Sequence, residues 1–207
     1  GGDADQDAFE RKLYVIRRVF ERRAGASAAI VSCSSRTVVY KGMLTAPQLA
    51  GFYPELRDER LESRLALVHS RFATNTFPSW ELAHPYRVLA HNGEINTLMG
   101  NRNWMRACEP QLASGLLGAD VEKLKPVVSR EGSDSVTLDN ALELLTMSGR
   151  SFPEALMMMI PEATAGRGGL SDAVQDFYDY HACLMEPWDG PAAIAFSDGR
   201  VIGAMLD

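Results

Sequence analysis

Residues 192–205 read AAIAFSDGRVIGAM, and this stretch carries the clearest fold signal in the sequence. Apolar residues flank the dipeptide Asp198-Gly199, a combination that favours a tight turn between two antiparallel strands. The stretch therefore predicts a hairpin, with one strand over Ala192–Phe196 and the other over Arg200–Met205.

Upstream of this hairpin, the sequence predicts strands in the first half of the chain and helices in the middle. Short apolar runs predict strands over residues 28–33, 37–43, 65–72 and 86–90, the first two being joined as a hairpin by residues 34–36. Helical periodicity and capping residues such as Ser151 predict helices over residues 7–23, 97–113, 133–148, 151–160 and 171–185. Because strands and helices do not alternate, the fold class is α+β rather than a Rossmann-type βαβ sheet.

The first predicted helix has two kinds of side chain at helical spacing. Its buried face is predicted from four apolar residues, Phe9, Leu13, Ile16 and Phe20. The arginine-rich run from Arg11 to Arg23 is interpreted as the solvated face of the same helix.

The composition narrows the class of protein. The 207 residues, 46% hydrophobic and 23% charged, fit a single soluble globular domain over residues 1–207, with residues 1–7 as a linker or a cut end. A net charge of -6 argues against a nucleic-acid partner, and no apolar run approaches the roughly 20 residues of a membrane span. Three scattered cysteines predict reduced thiols in a cytosol-like compartment rather than a disulfide framework.

Three short motifs carry groups that suit recognition of a free amino acid: HSRFATNT at residues 69–76, AHNGEINT at 90–97 and GSDS at 132–135. Arg71 offers a planar cation for a carboxylate. Asn92 with the backbone N–H of Gly93 can form an oxyanion hole, and Asp134 can accept an α-ammonium group. Together these groups would hold both ends of glutamine and stabilise an oxyanion between them.

Each of these residues also has a purely structural interpretation. Arg71 can form an ordinary ion pair, Asn92-Gly93 is a common turn dipeptide, and Asp134 can serve as the N-cap of the helix that follows it. The sequence of each motif alone leaves these alternatives open.

The motifs taken jointly resemble the class II glutamine amidotransferases, and within them the amidotransferase domain of glutamate synthase large subunits. The resemblance extends from about Phe9 to Asp207 and includes the segments at 34–43, 101–105 and 186–192. Ala73 departs from the family pattern, which usually has Ser there. The resemblance implies the four-layer αββα sandwich of the N-terminal-nucleophile hydrolases, of which this chain would be a part.

The resemblance also implies residue roles. In the family an N-terminal cysteine attacks the side-chain amide of glutamine, its own α-amino group acts as the base, and water then releases glutamate. Carried over by motif, Arg71 binds the α-carboxylate, Asp134 binds the α-ammonium group, and Asn92 with Gly93 forms the oxyanion hole. Thr74 is expected to contact the substrate, and His91 to lie near the site.

The nucleophile of the family has no counterpart at the start of this sequence, which begins with Gly1. We therefore expect an internal fragment, cut at both ends and inactive in isolation. Cys33 is the alternative nucleophile, but its apolar surroundings in the sequence favour a packing role. Cys108 and Cys183 are also interpreted as packing residues.

For the parent protein, the resemblance implies FMN, an iron–sulfur cluster and either NADPH or ferredoxin as electron donor, with none of these bound by the present residues. It implies L-glutamine as substrate, the remaining synthase domains and a small reductase subunit as partners, and a cytoplasmic or plastid-stromal location. The alternatives are a class II amidotransferase of the purine or glucosamine type, and a non-catalytic scaffold with the same fold. Glu94, Ile95, Asn96 and Thr97 favour the glutamate synthase type.

Overall fold

The structure, a computed structural model, describes residues 5–72, 76–129, 131–162 and 169–206, without the side chain of Ala26. Within these ranges the helices are α1 (Gln6–Ala24), α2 (Ala46–Phe52), α3 (Leu98–Cys108), α4 (Asp134–Met147), α5 (Phe152–Met159) and α6 (Asp172–Ala182). The strands are β1 (Leu89–Gly93), β2 (Ala192–Ser197) and β3 (Ile202–Leu206). Short 3-10 turns cover Gly25–Ser27, Pro54–Arg57, Glu109–Gln111 and Gly118–Leu124.

Local capping explains where the principal helices begin. Ser133 caps α4 by accepting the backbone N–H of Val136 at 3.1 Å, and Ser151 caps α5 in a reciprocal capping box with Glu154. The five predicted helices are confirmed, although α3 ends at Cys108, five residues before its predicted end, and α6 at Ala182, three residues before its predicted end. Helix α2 was not predicted; it begins after its own capping box at Thr45.

The sheet is antiparallel with strand order β1-β2-β3. Its hairpin of β2 and β3 confirms the prediction for the C-terminal stretch. The middle of the chain supplies β1, which pairs with β2 so that Leu89 lies opposite Phe196 and Gly93 opposite Ala192. The strand predicted over 86–90 therefore starts three residues later and continues through the Asn-Gly dipeptide.

One face of the sheet is packed against the helices. Ile194 and Phe196 of β2 are buried in the same apolar core as Leu138 of α4 and Leu156 of α5. The ring of Phe152 stacks on that of Phe196 with centroids 4.7 Å apart. Burial of these large side chains supplies most of the driving force that joins the sheet to α4 and α5.

The opposite face of β2 and β3, here called the open face, is formed by Ala193, Ala195, Ile202, Ala204 and Leu206. Ile202 and Leu206 are 62% and 82% exposed. The two faces of the sheet are therefore unequal: the described helices cover one, and the other presents small or apolar residues to solvent.

The prediction for the faces of α1 was wrong. Phe9, Ile16 and Phe20 are exposed, whereas Arg17 is only 1% exposed. The Arg17 guanidinium pairs with Glu143 of α4 and with Glu21 at 2.9 Å. A buried cation requires such partners, and the inward face of α1 therefore combines Arg17 with the buried Tyr14 and Val15 instead of Phe9, Ile16 and Phe20.

The hairpin predicted over residues 28–33 and 37–43 was also wrong, since the structure assigns no strand to either segment. The linker between them is instead bound by a side chain of α1. The carboxylate of Glu10 accepts hydrogen bonds from Ser34 Oγ at 2.8 Å and from the backbone N–H of Ser35 at 2.6 Å. Side-chain bonds of this kind compete with strand pairing for backbone donors.

The strand predicted over 65–72 is reduced to one isolated antiparallel contact between Phe72 and Ala83. Val68 within it is exposed. Among the described residues, no neighbouring strand lies alongside residues 65–71. The backbone of this segment therefore has no partner with which to form a hydrogen-bonded ladder.

No described helix combines the length and the apolar character needed to cross a bilayer. The assignment of residues 1–207 to one domain, with a linker at 1–7, stays a prediction.

Candidate functional site

The end of β1 places two adjacent polar side chains on opposite sides of the sheet. His91 is buried, and Asn92 is exposed on the side opposite to it, as expected from the two-residue repeat of a strand. In the register, His91 faces Ile194 and Asn92 faces Ala193. The Asn-Gly pair is therefore the end of a strand, which removes the alternative that it forms a turn.

Gly93 is required by a close backbone approach. Its φ of +149° and the position of its neighbour leave no room for a side chain, because a Cβ atom would lie 1.9 Å from the carbonyl oxygen of Pro191. Gly190 makes the reciprocal approach, with a Cβ position 1.9 Å from the carbonyl oxygen of Glu94. Two glycines thus let the segment after β1 pass directly over the segment before β2.

The backbone N–H of Gly93 points away from β2. Ser197 N–H donates to Val88 O at 2.9 Å, and Glu94 N–H donates to Pro191 O at 3.0 Å. Residues in an antiparallel strand alternate between pointing towards and away from a given partner, so the odd-numbered N–H groups of β1 face its other edge. The Gly93 N–H is therefore directed where a ligand beside β1 could accept it.

Asp134 lies at the first turn of α4 and reaches back to the chain that follows β1. One carboxylate oxygen accepts the backbone N–H of Ile95 at 3.0 Å, and the other accepts that of Ser135 at 2.7 Å. Because Ser133 is the N-cap, the N-cap interpretation of Asp134 is wrong. The structure thus brings Asp134 into contact with Ile95, which follows Gly93 by two residues.

A fourth segment, residues 186–191, holds the loop after β1 in place. The carbonyl of Asp189 accepts the N–H of Asn96 at 2.7 Å. Asn101 of α3 donates its side-chain amide to Pro187 O at 2.8 Å and accepts the Thr97 hydroxyl at 2.7 Å. Motifs that are separated by about 90 residues in the sequence therefore form one hydrogen-bonded unit.

Arg71 is exposed and is not joined directly to that unit by a described ion pair. Its backbone N–H donates to His69 Nδ1 at 3.0 Å, and the His69 ring stacks on His84 at 4.3 Å. The predicted contact residue Thr74 lies outside the described residues, as do its neighbours at 73 and 75.

Aromatic contacts connect the Arg71 segment to α4. The His84 ring meets the edge of Tyr86 with centroids 4.7 Å apart, and the Tyr86 hydroxyl lies 3.2 Å from Ser133 Oγ. Both ring nitrogens of His84 are buried. Burial, together with the nearby His69, His91 and Lys41, lowers the pKa of His84 to about 3, so the ring is neutral at physiological pH.

Lys41 is a buried cation that the sequence analysis did not identify. Its ammonium group donates to the carbonyls of Glu81 at 3.1 Å and Ala83 at 3.0 Å and lies 5.0 Å from the centre of the Tyr86 ring. Burial lowers the pKa of Lys41 to about 7. The sequence did not indicate this burial, because a single lysine within an apolar run is expected to keep its side chain in solvent.

Cys33 has a position that does not favour nucleophilic attack, whereas Cys183, for which a packing role was predicted, is exposed. Cys33 Sγ is 3.8 Å from Leu13 O and lines a small cavity with Glu10, Tyr14 and Glu143. Burial raises the pKa of its thiol, which lowers the fraction of reactive thiolate. This environment agrees with a packing role for Cys33.

Comparison with known proteins identifies the family. The sequence matches the family described as glutamine amidotransferases, class II, over residues 1–207. It is 53% identical over 206 residues to the glutamate synthase (NADPH) large chain of Bacillus subtilis (strain 168), covering 98% of this chain and 14% of that protein.

Two further relatives have the same kind of name. The chain is 49% identical over 206 residues to glutamate synthase (NADH) of Saccharomyces cerevisiae, with 98% of this chain and 10% of the relative covered. It is 48% identical over 204 residues to ferredoxin-dependent glutamate synthase 2 of Synechocystis sp. PCC 6803, with 97% and 13% covered. The chain thus spans about a seventh or less of these relatives, and it belongs to the class II glutamine amidotransferases.

Proposed function

We propose that this chain is the glutaminase part of a glutamate synthase, in which L-glutamine is hydrolysed to glutamate and ammonia for the amination of 2-oxoglutarate. The observation that carries the proposal is the convergence of two motifs, in which Asp134 accepts the N–H of Ile95 at 3.0 Å, two residues beyond Gly93. The names and identities of the relatives support the glutamate synthase type over the purine and glucosamine types.

The proposed roles follow from charge and exposure. The exposed guanidinium of Arg71, for which the described residues supply no carboxylate, would bind the substrate α-carboxylate in a bidentate fashion. Asp134 would accept the α-ammonium group, and Thr74 would contact the substrate. The Asn92 side chain and the outward N–H of Gly93 would stabilise the oxyanion that forms on the amide carbon.

These residues bind and orient glutamine and stabilise developing charge, but they do not supply the nucleophile. The family assigns that step to a cysteine at the mature N-terminus, whose thiolate attacks the amide carbon while ammonia leaves. The raised pKa of Cys33 does not support an alternative there. That the chain in isolation is inactive stays a prediction.

We further propose the four-layer αββα architecture for the complete domain. The unequal faces of the sheet support it, because the open face carries three alanines beside the exposed Ile202 and Leu206. Small residues on a flat, half-exposed face allow a second sheet to pack closely, as in other sheet-on-sheet layers.

For the parent protein we propose FMN, an iron–sulfur cluster and NADPH or ferredoxin as electron donor, all bound by other regions. The described residues do not fit a cluster: they contain no group of three or more His, Cys, Asp or Glu side chains arranged to hold a metal ion, whereas such clusters take about four ligands. We also propose that the partners are the remaining synthase domains and a small reductase subunit, without a nucleic-acid partner. The proposed location is the cytoplasm or the plastid stroma.

The test is to measure glutamate formation by the full-length protein with glutamine and, separately, with ammonia as nitrogen donor. The proposal expects both activities with 2-oxoglutarate as acceptor. Product formation from a phosphoribosyl or hexose phosphate acceptor instead would assign the chain to the purine or glucosamine type, and the absence of glutaminase activity would favour a scaffold.

A further inference from the structure

His91 and Ser135 form a buried hydrogen bond between the two elements of the proposed site. His91 directly precedes Asn92 in β1, and Ser135 directly follows Asp134 in α4. His91 Nδ1 lies 2.8 Å from Ser135 Oγ, and both residues are 2% exposed. The bond therefore links the residue beside the oxyanion donors to the residue beside the carboxylate.

The hydrogen bonds have a direction. Ser135 Oγ donates to Asp134 Oδ1 at 3.3 Å, so the lone pairs of the same hydroxyl oxygen can accept a hydrogen bond from His91 Nδ1–H. Burial lowers the pKa of His91 despite the nearby Asp134 carboxylate, which favours the neutral imidazole. With the proton on Nδ1, His91 donates to Ser135, and Ser135 donates to Asp134. Nε2 of His91 then carries no proton and can only accept; it is buried and has no partner among the described residues.

This arrangement constrains Asp134 from two directions. Its Oδ2 accepts the Ile95 N–H, and its Oδ1 accepts both the backbone N–H and the hydroxyl of Ser135. A carboxylate with fixed oxygens presents its remaining lone pairs at a defined position, which is what recognition of a single ammonium group requires.

Other contacts hold the start of α4 independently of this bond. Tyr86 hydrogen-bonds to Ser133, and Arg102 donates to the carbonyl of Gly132. Removal of the His91–Ser135 bond is therefore expected to shift Asp134 locally rather than to detach the helix.

We propose that His91 and Ser135 are positioning residues that set the separation between the oxyanion donors at the end of β1 and the ammonium-binding carboxylate of α4, and so give the site its preference for substrates with an α-ammonium group. This inference rests on the proposed glutaminase function. The buried His91–Ser135 pair would thus help the site to discriminate between glutamine and an analogue that differs only at the α-carbon.

The experiment compares L-glutamine with 4-carbamoylbutanoate, which is glutamine without its α-ammonium group, as substrates of the full-length protein. The measured quantity is the ratio of the two kcat/KM values. Ser135→Ala is expected to lower this ratio about fivefold to tenfold, mainly through a higher KM for glutamine, because one hydrogen bond to a charged group is loosened.

Two substitutions at His91 separate positioning from packing. His91→Leu removes the donor to Ser135 and should lower the ratio, though less than Ser135→Ala, which also removes the hydroxyl bond to Asp134. His91→Asn keeps an amide N–H near the position of Nδ1 and should retain most of the ratio. The double variant Ser135→Ala/His91→Leu should be no worse than Ser135→Ala alone, since that substitution already removes the His91–Ser135 bond.

Ser151→Ala is the matched control. It removes another helix-capping serine, at α5, whose described bonds involve Glu154 and not the site, so it should leave the ratio unchanged. Equal losses with both substrates in Ser135→Ala, or a His91→Asn protein that behaves like His91→Leu, would reduce the pair to a structural role. A wild-type protein that hydrolyses neither substrate would overturn the proposed function, and the positioning role with it.

Discussion

The two ends of the proposed glutamine site differ in how firmly the protein holds them. At one end, Asp134 and Gly93 are fixed by backbone hydrogen bonds and by a carbonyl that leaves no space for a side chain. At the other end, the Arg71 side chain is exposed, and its segment is joined to the core through the stacked rings of His69 and His84. In the proposed site, the fixed end therefore holds both the oxyanion donors of the chemical step and the ammonium-binding carboxylate, whereas the exposed end supplies binding energy alone.

The largest effect is expected at the fixed end from Asn92→Ala. Loss of one oxyanion donor should lower kcat for glutamine hydrolysis by about 10²–10³ with a small change in KM. Activity with free ammonia should be retained. Asn96→Ala is the control, because Asn96 is exposed and its described hydrogen bond is made by the backbone; an unchanged kcat in Asn92→Ala would remove the oxyanion role.

Gly93→Ala tests the rigidity of the same end. The new methyl group would lie 1.9 Å from Pro191 O at a φ of +149°, and backbone atoms cannot move aside as a flexible side chain can. We expect a loss of about 3 kcal/mol in the free energy of unfolding, measured by urea denaturation. Gly115→Ala should change little, because no atom lies within 4 Å of its Cβ position; equal stability of both variants would mean that the close approach relaxes.

Arg71→Ala probes the exposed end. Loss of a bidentate contact to the α-carboxylate should raise the KM for glutamine about 10- to 100-fold, while ammonia-dependent synthesis is spared because that route bypasses the site. Arg64→Ala, another exposed arginine, is the matched control. A parallel loss of both activities in Arg71→Ala would instead indicate that Arg71 is structural.

The connection between the two ends should be sensitive to acid. His84 has a folded-state pKa of about 3 against an ordinary value of 6.5. As the pH falls through 6.5, His84 is therefore protonated in the unfolded chain but stays neutral in the folded chain. Stability must then decrease between pH 6.5 and about 3. From pH 7.5 to pH 5, the wild-type protein should lose about 2 kcal/mol more than His84→Gln in urea unfolding; parallel pH profiles would show that His84 protonates freely in the folded state.

The sequence predicted the parts of the fold that depend on local chemistry. The apolar spacing over residues 133–148, the capping residue Ser151 and the Asp198-Gly199 turn act within a few residues, so their patterns identified α4, α5 and the hairpin. The strands predicted over 28–43 and 65–72 failed because a strand is defined by its partner. Residues 34 and 35 instead donate hydrogen bonds to the Glu10 carboxylate, and Phe72 makes a single isolated contact with Ala83.

The buried face of α1 could not be predicted from the sequence for a related reason. Periodicity assigned Phe9, Ile16 and Phe20 to the core, but the buried ion pairs of Arg17 with Glu21 and Glu143 turned the helix the other way. A pairing between positions 126 residues apart leaves no signal in a single sequence, whereas apolar spacing does.

For the candidate site, the sequence by itself determined which chemical groups are present: a guanidinium at Arg71, an amide beside a glycine at 92–93 and a carboxylate at Asp134. Only the tertiary structure decided that Asn92-Gly93 ends a strand, that Asp134 reaches the N–H of Ile95, and that His91 contacts Ser135. The physical reason is that the type of a side chain is a local property, whereas its position and pKa depend on burial and on partners brought from distant parts of the chain.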